Sequence, residues 1–453
     1  MARGLHRRRF MTTRDQQAVT AIRCAAVPLS DADSDYDALV HRARTARLVL
    51  LGEASHGTHE FYDQRAKISQ RLIEELSFDA IVVEADWPDA YVVDRYVRDG
   101  ADLSPERALR GFKRFPQWMW RNDDVLALVE WLRTRNASYA SVEHAGFYGM
   151  DLYSLHASID AVLEYLWKVD PDAARRARER YSCFEHFGDD PQAYGYATSL
   201  GAESCEDAVV RQLVELTRTA RTLTGYPDPR AVDELFVAEQ NARLVRNAER
   251  YYRAMFRGRV SSWNLRDTHM ADTVDALLAH LGRDGHEAKL VLWAHNSHLG
   301  DARATEMGVR GEVNVGQLLR ERHGDRVLNV GFTTHAGTVT AATDWDEPAE
   351  MKSVVPSMAG SFERLCHEAA VDRFYLELQD PVVRRALREP RFERAIGVIY
   401  RPETERESHY FQALLPDQFD AIVHIDVTSA VRPLEETALQ DDEEIPETFP
   451  SAL

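Results

Sequence analysis

Two polar segments of the sequence place histidines beside groups that could assist proton transfer. The first, residues 52–60, reads GEASHGTHE and contains Glu53 and His56; the second, residues 293–300, reads WAHNSHLG and contains His295 and His298. A carboxylate beside an imidazole can fix its tautomer and raise its basicity, as a general base requires. We therefore predict that Glu53 and His56 work as a pair, although His56 could instead cap the helix that follows.

The strands that precede these two segments form an internal repeat. Residues 47–57, RLVLLGEASHG, align with residues 289–299, KLVLWAHNSHL, so that the Ser-His dipeptides coincide and Glu53 falls on His295. A second repeated segment, FDAIV, occurs at 78–82 and at 419–423. Chance similarity between buried strands is the alternative explanation. A duplication would place both polar loops at the carboxyl edge of one sheet, where ligands bind in open α/β folds.

The wider pattern predicts an α/β fold in which duplicated βαβ halves form a mostly parallel sheet flanked by helices. The predicted strands are the short apolar runs at 48–51, 80–83, 145–149, 290–293, 327–332, 373–376, 396–399 and 421–425. Residues 155–280 contain no convincing strand, so we expect a helical insertion, or lid, over the carboxyl edge. We assign 21–433 to the domain, 1–20 to a flexible tail and 434–453 to an acidic tail.

Three further charged residues are candidates for the site. Arg65 falls on the apolar stripe of the helix predicted after residue 60, and an inward-facing arginine needs an anionic partner unless it reaches solvent at the helix edge. Glu84 and Asp151 end predicted strands, where a carboxylate could act as acid, base or orienting group. We predict catalytic roles for Arg65 and Glu84, and a substrate-binding role for Asp151.

Four more residues are predicted to bind the substrate. Trp87 follows Glu84 in AIVVEADWPDAY, and His298 lies beside His295. His409 belongs to the charged segment ETERESHY, which could border a pocket or form a solvated turn. Arg266 lies in SSWNLRDTHM, where it could instead form an ordinary surface ion pair with its neighbour Asp267.

Length and composition exclude several classes of protein. A chain of 453 residues with 44% hydrophobic content can bury a large core, and its net charge of -19 argues against nucleic acid or an anionic membrane as the main partner. No apolar run is long enough to cross a bilayer, and no apolar segment follows the basic residues 1–9, so we expect no secretory leader. The four cysteines lie far apart, which favours free thiols in a reducing cytoplasm.

Several well-defined catalytic motifs are absent from the sequence. It contains no GxSxG, HExxH, Walker A or GxGxxG motif. Its histidines form two HxxH pairs, His56/His59 and His295/His298, and such a set could bind a divalent metal. A lone HxxH pair is a weak signal, so we expect no cofactor and keep a bound divalent metal as the alternative.

Four segments, in order along the chain, resemble the erythromycin esterase family: GEASHGTHEFYDQRAKI, VVEADW, WNLRDTHMAD and WAHNSHLGD. With the strand pattern, the resemblance covers roughly residues 48–431. It implies an α/β fold with a helical lid over a deep cleft, and hydrolysis of the lactone ester of macrolide rings. It also implies that His56 is the general base that activates water, that Glu53 orients it, and that Arg65, Glu84 and His295 line the centre.

Three hypotheses for function follow. The first is metal-independent hydrolysis of a small-molecule ester or macrolide lactone, in which Arg65 or His295 stabilises the oxyanion. The second is a metal-dependent hydrolase that uses His56, His295 and His298. The third is a non-enzymatic protein of the same architecture that binds haem or another small molecule, since a fold alone does not determine chemistry.

Overall fold

A central sheet organises the chain in the computed structural model, which describes residues 11–99, 103–140, 143–187, 190–223 and 229–434. The sheet has nine strands, and a separate antiparallel pair lies beside it. The strands are β1 Val27–Pro28, β2 Leu48–Leu51, β3 Ala80–Asp86, β4 Gly146–Asp151, β5 Leu290–Trp293, β6 Val327–Ala341, β7 Glu350–Val354, β8 Arg373–Glu377, β9 Arg391–Arg394, β10 Tyr410–Ala413 and β11 Ala421–Thr428.

The order of the strands confirms the predicted fold class. The sheet runs β1-β8-β11-β6-β2-β5-β3-β4, and β7 pairs with the extension of β6. The six strands from β11 to β4 are mutually parallel, whereas β1, β7 and β8 are antiparallel to their neighbours. The fold is therefore α/β with a mostly parallel sheet.

Helices cover both faces of this sheet. Before the insertion lie α1 Thr13–Ala25, α2 Asp37–Ala43, α3 His59–Leu76, α4 Trp87–Asp99, α5 Pro105–Leu109 and α6 Asp123–Ala137. The region of the predicted insertion contains α7 Leu155–Val169, α8 Pro171–Tyr181, α9 Pro191–Ser199, α10 Glu206–Leu223, α11 Pro229–Met255 and α12 Arg259–Leu281. After it follow α13 Asn296–Leu299, α14 Glu306–Val309, α15 Val315–His323, α16 Phe362–Glu368, α17 Pro381–Ala386, α18 Glu405–Ser408 and α19 Leu415–Gln418.

Side chains that alternate in direction along each strand contribute to two separate hydrophobic cores. Leu48 and Leu50 of β2 face the core formed with the helices of the insertion, whereas Val49 and Leu51 face the core formed with α2, α3 and α6. Successive side chains of a strand point to opposite faces, so a strand that is apolar at every position must be covered on both sides. The apolar runs of the sequence therefore encode a three-layer arrangement.

The two strands of the internal repeat are neighbours. Leu48 pairs with Leu290 and Leu51 with Trp293, which is the register of the sequence alignment. The chain leaves β2 toward β3 on one side, and leaves β5 toward β6 on the other side. The loops after β2 and β5 consequently meet at the carboxyl edge, as the repeat predicted, and the strand order makes this position a switch point of the sheet.

The two FDAIV segments do not belong to equivalent strands of the sheet. β3, which carries the first FDAIV segment, lies directly beside β5, but β11, which carries the second, is separated from β2 by β6. If β2 is matched with β5, the strand next to each on its outer side also matches, so β3 corresponds to β6, and β4 corresponds to β11. The two FDAIV segments resemble each other because both belong to buried strands, a similarity that does not require equivalence.

Three other predictions are corrected. Residues 396–399 form isolated bridges at Ile396 and Ile399 and no strand. α1 begins at Thr13 behind a capping box and buries Ile22, so 13–20 belong to the domain, while 1–10 and 435–453 lie outside the described residues. Cys183 and Cys205 are not free thiols, because the turn after α8 and the start of α10 bring their Cα atoms to 5.9 Å and the two form a disulfide.

The helical insertion packs against one face of the sheet, and α12 reaches the carboxyl edge beside β4. Among the described residues, no helix has a stretch that is both long and apolar enough to span a membrane.

Gly52 permits the close approach of the two repeat loops. Asn296 donates its backbone N–H to the carbonyl of Glu53 (2.8 Å) and its side-chain amide to the carbonyl of Phe332 (2.8 Å). A β-carbon on Gly52 would clash with the Oδ1 atom of Asn296. The absence of a side chain at Gly52 therefore allows Asn296 to tie the loops together.

We expect Gly52→Ala to lower the free energy of unfolding by about 1–3 kcal/mol, because the added methyl group overpacks this junction. Urea denaturation measures the change. Gly111→Ala is the matched control, since its β-carbon would come no closer than 3.3 Å to Asp89. Equal stability of the two variants would contradict the assignment.

Candidate active site

The loop after β2 holds a histidine–carboxylate pair. Nδ1 of His56 lies 2.9 Å from Oε1 of Glu53, and Nη2 of Arg65 donates to Oε2 of the same carboxylate at 2.7 Å. A carboxylate that already faces a guanidinium accepts hydrogen bonds and donates none, so Nδ1 of His56 carries the proton. Nε2 of His56, which lines the cavity together with the rest of its ring, is then left as a proton acceptor.

Arg65 lies behind this pair and does not touch the cavity. It shares the buried face of α3 with Phe61 and Ile68, and its guanidinium is stacked 4.6 Å from the ring centroids of Tyr62 and Trp293. Glu53 is therefore the anionic partner that was predicted for Arg65. Because Arg65 is not among the residues that line the cavity, a direct contact with a substrate oxyanion has no support in the geometry.

His295 differs from His56 in the ring nitrogen that carries the proton. It precedes α13, and its Nδ1 accepts the backbone N–H of Ser297 (3.2 Å), which leaves the ring proton on Nε2. That Nε2 is buried and makes no hydrogen bond of strict geometry to any described residue, although the backbone of Ala54 lies close enough to the ring to act on its pKa. Burial, reinforced by the nearby His56, holds the pKa of His295 well below its usual range. His295 is thus a neutral N–H donor whose ring centroid is 4.9 Å from that of His56.

A buried arginine joins the neighbouring strand ends. Arg266 of α12 donates Nε to Oδ1 of Asp151 (2.9 Å), and its Nη2 contacts both Oδ2 of Asp151 and Oε1 of Glu84 at 2.7 Å. Oε2 of Glu84 accepts the backbone N–H of His295 (2.9 Å). Although burial alone would raise the pKa of Glu84, the positive charges of His298 and Arg266 hold it well below its usual range. The interpretation of Arg266 and Asp267 as a surface ion pair is therefore wrong.

His298 has a carboxylate partner of its own. Its Nδ1 lies 2.9 Å from Oδ1 of Asp267, which is fully buried on α12 and also accepts the backbone N–H of Val315. Trp263 stacks on the His298 ring with a centroid distance of 4.5 Å and an interplanar angle of 7°. Burial alone would lower the pKa of His298, but Asp267 and then Glu84 raise it above its usual value.

These groups face a cavity of about 280 Å³ at the carboxyl edge of the sheet. Of the predicted site residues, it is lined by His56, Glu84, Asp151, Arg266, His295 and His298. Its apolar walls include Phe112, Phe115, Met119, Trp120, Tyr153, Trp263, Trp345, Tyr410 and Phe411, and further charged side chains that line it are Asp86, Asp89, Arg114, Arg259, Glu306, Arg310 and Glu407. Most of these wall residues come from the segment after α5, the β6–β7 connection and β10, which the sequence analysis did not single out.

Two predicted substrate-binding residues are not among the lining residues. Trp87 is buried against Tyr148, with ring centroids 5.7 Å apart, under the helical insertion. His409 packs against Tyr400, and its Nε2 accepts the backbone N–H of Arg401 at 3.4 Å. Trp87 thus belongs to the hydrophobic core under the insertion, and His409 is buried beside Tyr400.

Asp267 and Trp263 are functional candidates that the sequence analysis missed, although a signal was present. Both lie on the buried face of α12, where Asp267 follows Trp263 by four residues and precedes Met270 by three. This is the same reasoning that placed Arg65 inside, since a charged residue on an apolar stripe requires a buried partner.

The arrangement offers no evident metal site. Among the described residues, no group of three or more His, Cys, Asp or Glu side chains is arranged to hold a metal ion. We therefore derive no step through a metal at this site.

Comparison with known proteins identifies the family. The sequence profile of the erythromycin esterase family matches residues 73–428. The chain belongs to this family. The matched segment contains Glu84, Arg266, His295 and His298, whereas Glu53 and His56 lie ahead of it.

Relatives of this family member are distant in sequence. YbfO of Bacillus subtilis, which carries the name of a hydrolase, is 22% identical over 400 residues, spanning 84% of this chain and 83% of the relative. Erythromycin esterase type II of Escherichia coli is 23% identical over 307 residues, spanning 65% of this chain and 70% of that protein.

Solved structures share the fold of this family member. A succinoglycan biosynthesis protein superimposes with a TM-score of 0.74 at 22% identity, covering 94% of this chain and all (100%) of that one. A mutant of the erythromycin esterase EreC in its open conformation gives a TM-score of 0.66 at 18% identity, covering 90% of this chain and 97% of that chain.

Replacing Arg266 tests the electrostatic core of the site. We expect Arg266→Met to lower the free energy of unfolding by about 3–5 kcal/mol near neutral pH, because Glu84 and Asp151 would remain buried without their cation. The low pKa of Glu84 in the native site stabilises the fold above the unfolded pKa, and this contribution disappears as pH falls. The difference between the variant and the wild type should therefore shrink in acid.

Urea denaturation at about pH 7 and about pH 3, on either side of the unfolded pKa of a glutamate, measures both effects. Arg175→Met is the matched control, because the Arg175 side chain is 61% exposed and its pairing with Asp172 is a surface contact. A loss for Arg266→Met that does not depend on pH would contradict the electrostatic explanation.

Proposed function

We propose that this protein hydrolyses an ester or lactone of an apolar small molecule, of the macrolide type, by attack of water that His56 activates. The observation that carries the proposal is the pairing of opposite hydrogen-bonding roles in one cavity. His56 presents an unprotonated Nε2, and His295, whose ring centroid lies 4.9 Å away, carries its proton on a buried Nε2 that makes no hydrogen bond of strict geometry among the described residues and has the backbone of Ala54 nearby.

These roles suit the two charges that develop during ester hydrolysis. Nε2 of His56 accepts a proton from water while the water oxygen attacks the carbonyl carbon, and Glu53 stabilises the imidazolium that forms. The carbonyl oxygen gains negative charge, and Nε2–H of His295 donates to it. A donor that is neutral and already oriented requires little reorganisation when the charge develops.

The cavity offers both aromatic surface and charged groups to a substrate. Aromatic residues line it beside the histidines, and Phe115 meets Trp345 edge to face with centroids 5.6 Å apart. Charged side chains such as Asp86 and Arg114 line it as well, so it suits a molecule that carries apolar surface together with several polar groups. The erythromycin esterase of Escherichia coli among the relatives favours a macrolide lactone as the first substrate to test.

Incubation with erythromycin and a panel of other macrolides and lactones, followed by mass spectrometry, tests the activity. We expect the mass of one water to be gained in the presence of EDTA, and the rate to fall by about 100-fold or more in His56→Ala. His59→Ala is the matched control, because the His59 side chain is 47% exposed and pairs with Asp124 outside the site. Full activity of His56→Ala would refute the proposed base.

His295→Ala tests the oxyanion donor. We expect kcat to fall by about 100-fold with little change in KM, because the hydrogen bond forms chiefly in the transition state. Steady-state kinetics on the substrate found in the screen measures both constants. A rise in KM at constant kcat would instead indicate a role in ground-state binding.

A further inference from the structure

Helix α11 carries a row of arginines on one of its faces. Arg243, Arg246 and Arg250 follow one another at intervals of three and four residues, and this spacing places side chains on the same face of a helix. At a rise of about 1.5 Å per residue, these three residues, the arginine row, extend over roughly 10 Å. Like charges at such intervals repel each other, so the row costs free energy unless an anion balances it.

The protein does not neutralise the arginine row. Nε of Arg246 donates to the amide oxygen Oδ1 of Asn247 (3.0 Å), which carries no charge. Among the described residues, no carboxylate forms an ion pair with a guanidinium of the row. Arg253, further along the same helix, differs in this respect, because it is paired with Glu249 at 3.0 Å and with Glu206 at 2.9 Å. The row is thus a set of unbalanced charges.

The acidic group that acts on the row is already engaged elsewhere. Asp272 of α12 is the carboxylate whose charge raises the pKa of Arg246, but its Oδ1 lies 2.9 Å from Nη2 of Arg322. Arg322 also binds Asp275 (2.7 Å), so α15 supplies a cation to both carboxylates. Burial, followed by the charges of the other two arginines, lowers the pKa of Arg246 below its usual value. A net positive field therefore remains at the row.

The neighbouring histidine adds no charge to the row. His269 of α12 is buried, and its Nδ1 accepts the side-chain amide of Asn247 at 2.8 Å. Burial lowers the pKa of His269 to about 4 despite the charge of Asp151, so the ring is neutral at physiological pH. The positive charge of the row therefore comes from guanidinium groups, which keep their protons in water.

The arginine row is open to a ligand from solvent. Arg243 and Arg246 are partly buried and Arg250 is exposed, so the helix surface holds the side chains without closing them off. None of the three lines the cavity that contains His56. A guanidinium binds the oxygens of phosphate or sulfate in a bidentate manner, and an anion between neighbouring guanidiniums also removes their mutual repulsion.

The charge of the whole chain limits the size of the anion. A net charge of -19 repels a long polyanion such as nucleic acid, and also an anionic membrane. A small anion experiences mainly the charges within the Debye length, which is about 8 Å at physiological ionic strength and close to the extent of the row. Several negative charges on one small molecule therefore match three cations in a line.

We propose that the arginine row is a binding site for a small polyvalent anion that carries phosphate or sulfate groups. The site lies on the helical insertion, beside α12 and apart from the cavity. It does not rest on the proposed hydrolysis, since neither His56 nor any other residue that lines the cavity belongs to the row. Binding at the row and turnover of an ester can therefore be measured, and can fail, independently.

Isothermal titration calorimetry of the full chain with sodium tripolyphosphate and with sucrose octasulfate tests the site and distinguishes phosphate from sulfate. We expect one molecule of at least one probe to bind per chain, about 10-fold or more tightly than inorganic phosphate, because several guanidiniums contact it. Arg246→Met should weaken this binding by about 10-fold or more. Arg175→Met is the matched control, since Arg175 lies on α8 of the same insertion, is 61% exposed and pairs with Asp172.

The thermal stability of Arg246→Met separates a lost contact with the anion from damage to the fold. Methionine keeps an unbranched side chain at the partly buried position and relieves the repulsion within the row, so without anion we expect a midpoint at least equal to that of the wild type. The bound probe should raise the midpoint of the wild type and of Arg175→Met, but hardly that of Arg246→Met.

Arg250→Met repeats the test at the exposed end of the row, where packing contributes little, and should also weaken binding. Equal affinity of Arg246→Met and the wild type would overturn the proposal, as would a loss of the same size in Arg175→Met, which would indicate general electrostatic attraction. The absence of binding of both probes to the wild type at an ionic strength of about 0.05 M, where screening is weak, would overturn it as well.

Discussion

The burial of Arg266 between Glu84 and Asp151 is the constraint on which the site depends. Its guanidinium comes from α12, while the carboxylates end two neighbouring strands, and the ion pair closes the carboxyl edge of the sheet. Removing charges from water costs free energy that only complete pairing offsets. The helical insertion and the carboxyl edge of the sheet must therefore assemble together, since neither charged surface can be buried without the other.

The pairing partner of each histidine determines its protonation. All three imidazoles are buried at the same sheet edge, yet each has different partners: Glu53 pairs with Nδ1 of His56, a backbone N–H holds the His295 proton on Nε2, and Asp267 pairs with Nδ1 of His298, whose Nε2 faces Arg266. The surroundings, and not the residue type, thus determine where each imidazole proton lies.

The local sequence pattern was enough to predict the parallel strands and the approach of the two repeat loops. The apolar runs that form β2 and β5 are buried on both faces, and their repeat predicted that the loops carrying His56 and His295 meet. The position of Arg65 on an apolar stripe predicted a buried anionic partner, which is Glu53. Such inferences succeed because burial and strand pairing leave a periodic signal within a few residues of sequence.

The sequence by itself thus determined the fold class, the placement of the two repeat loops at one edge of the sheet and the pair formed by Glu53 and His56, whose members are three residues apart. Only the tertiary structure decided that Asp267 serves His298 across 31 positions of the chain, and that Trp87 and His409 pack outside the cavity. The physical reason is that local periodicity encodes whether a side chain is buried. Which distant groups surround it depends on how α12 and the loops of the aromatic wall dock on the sheet.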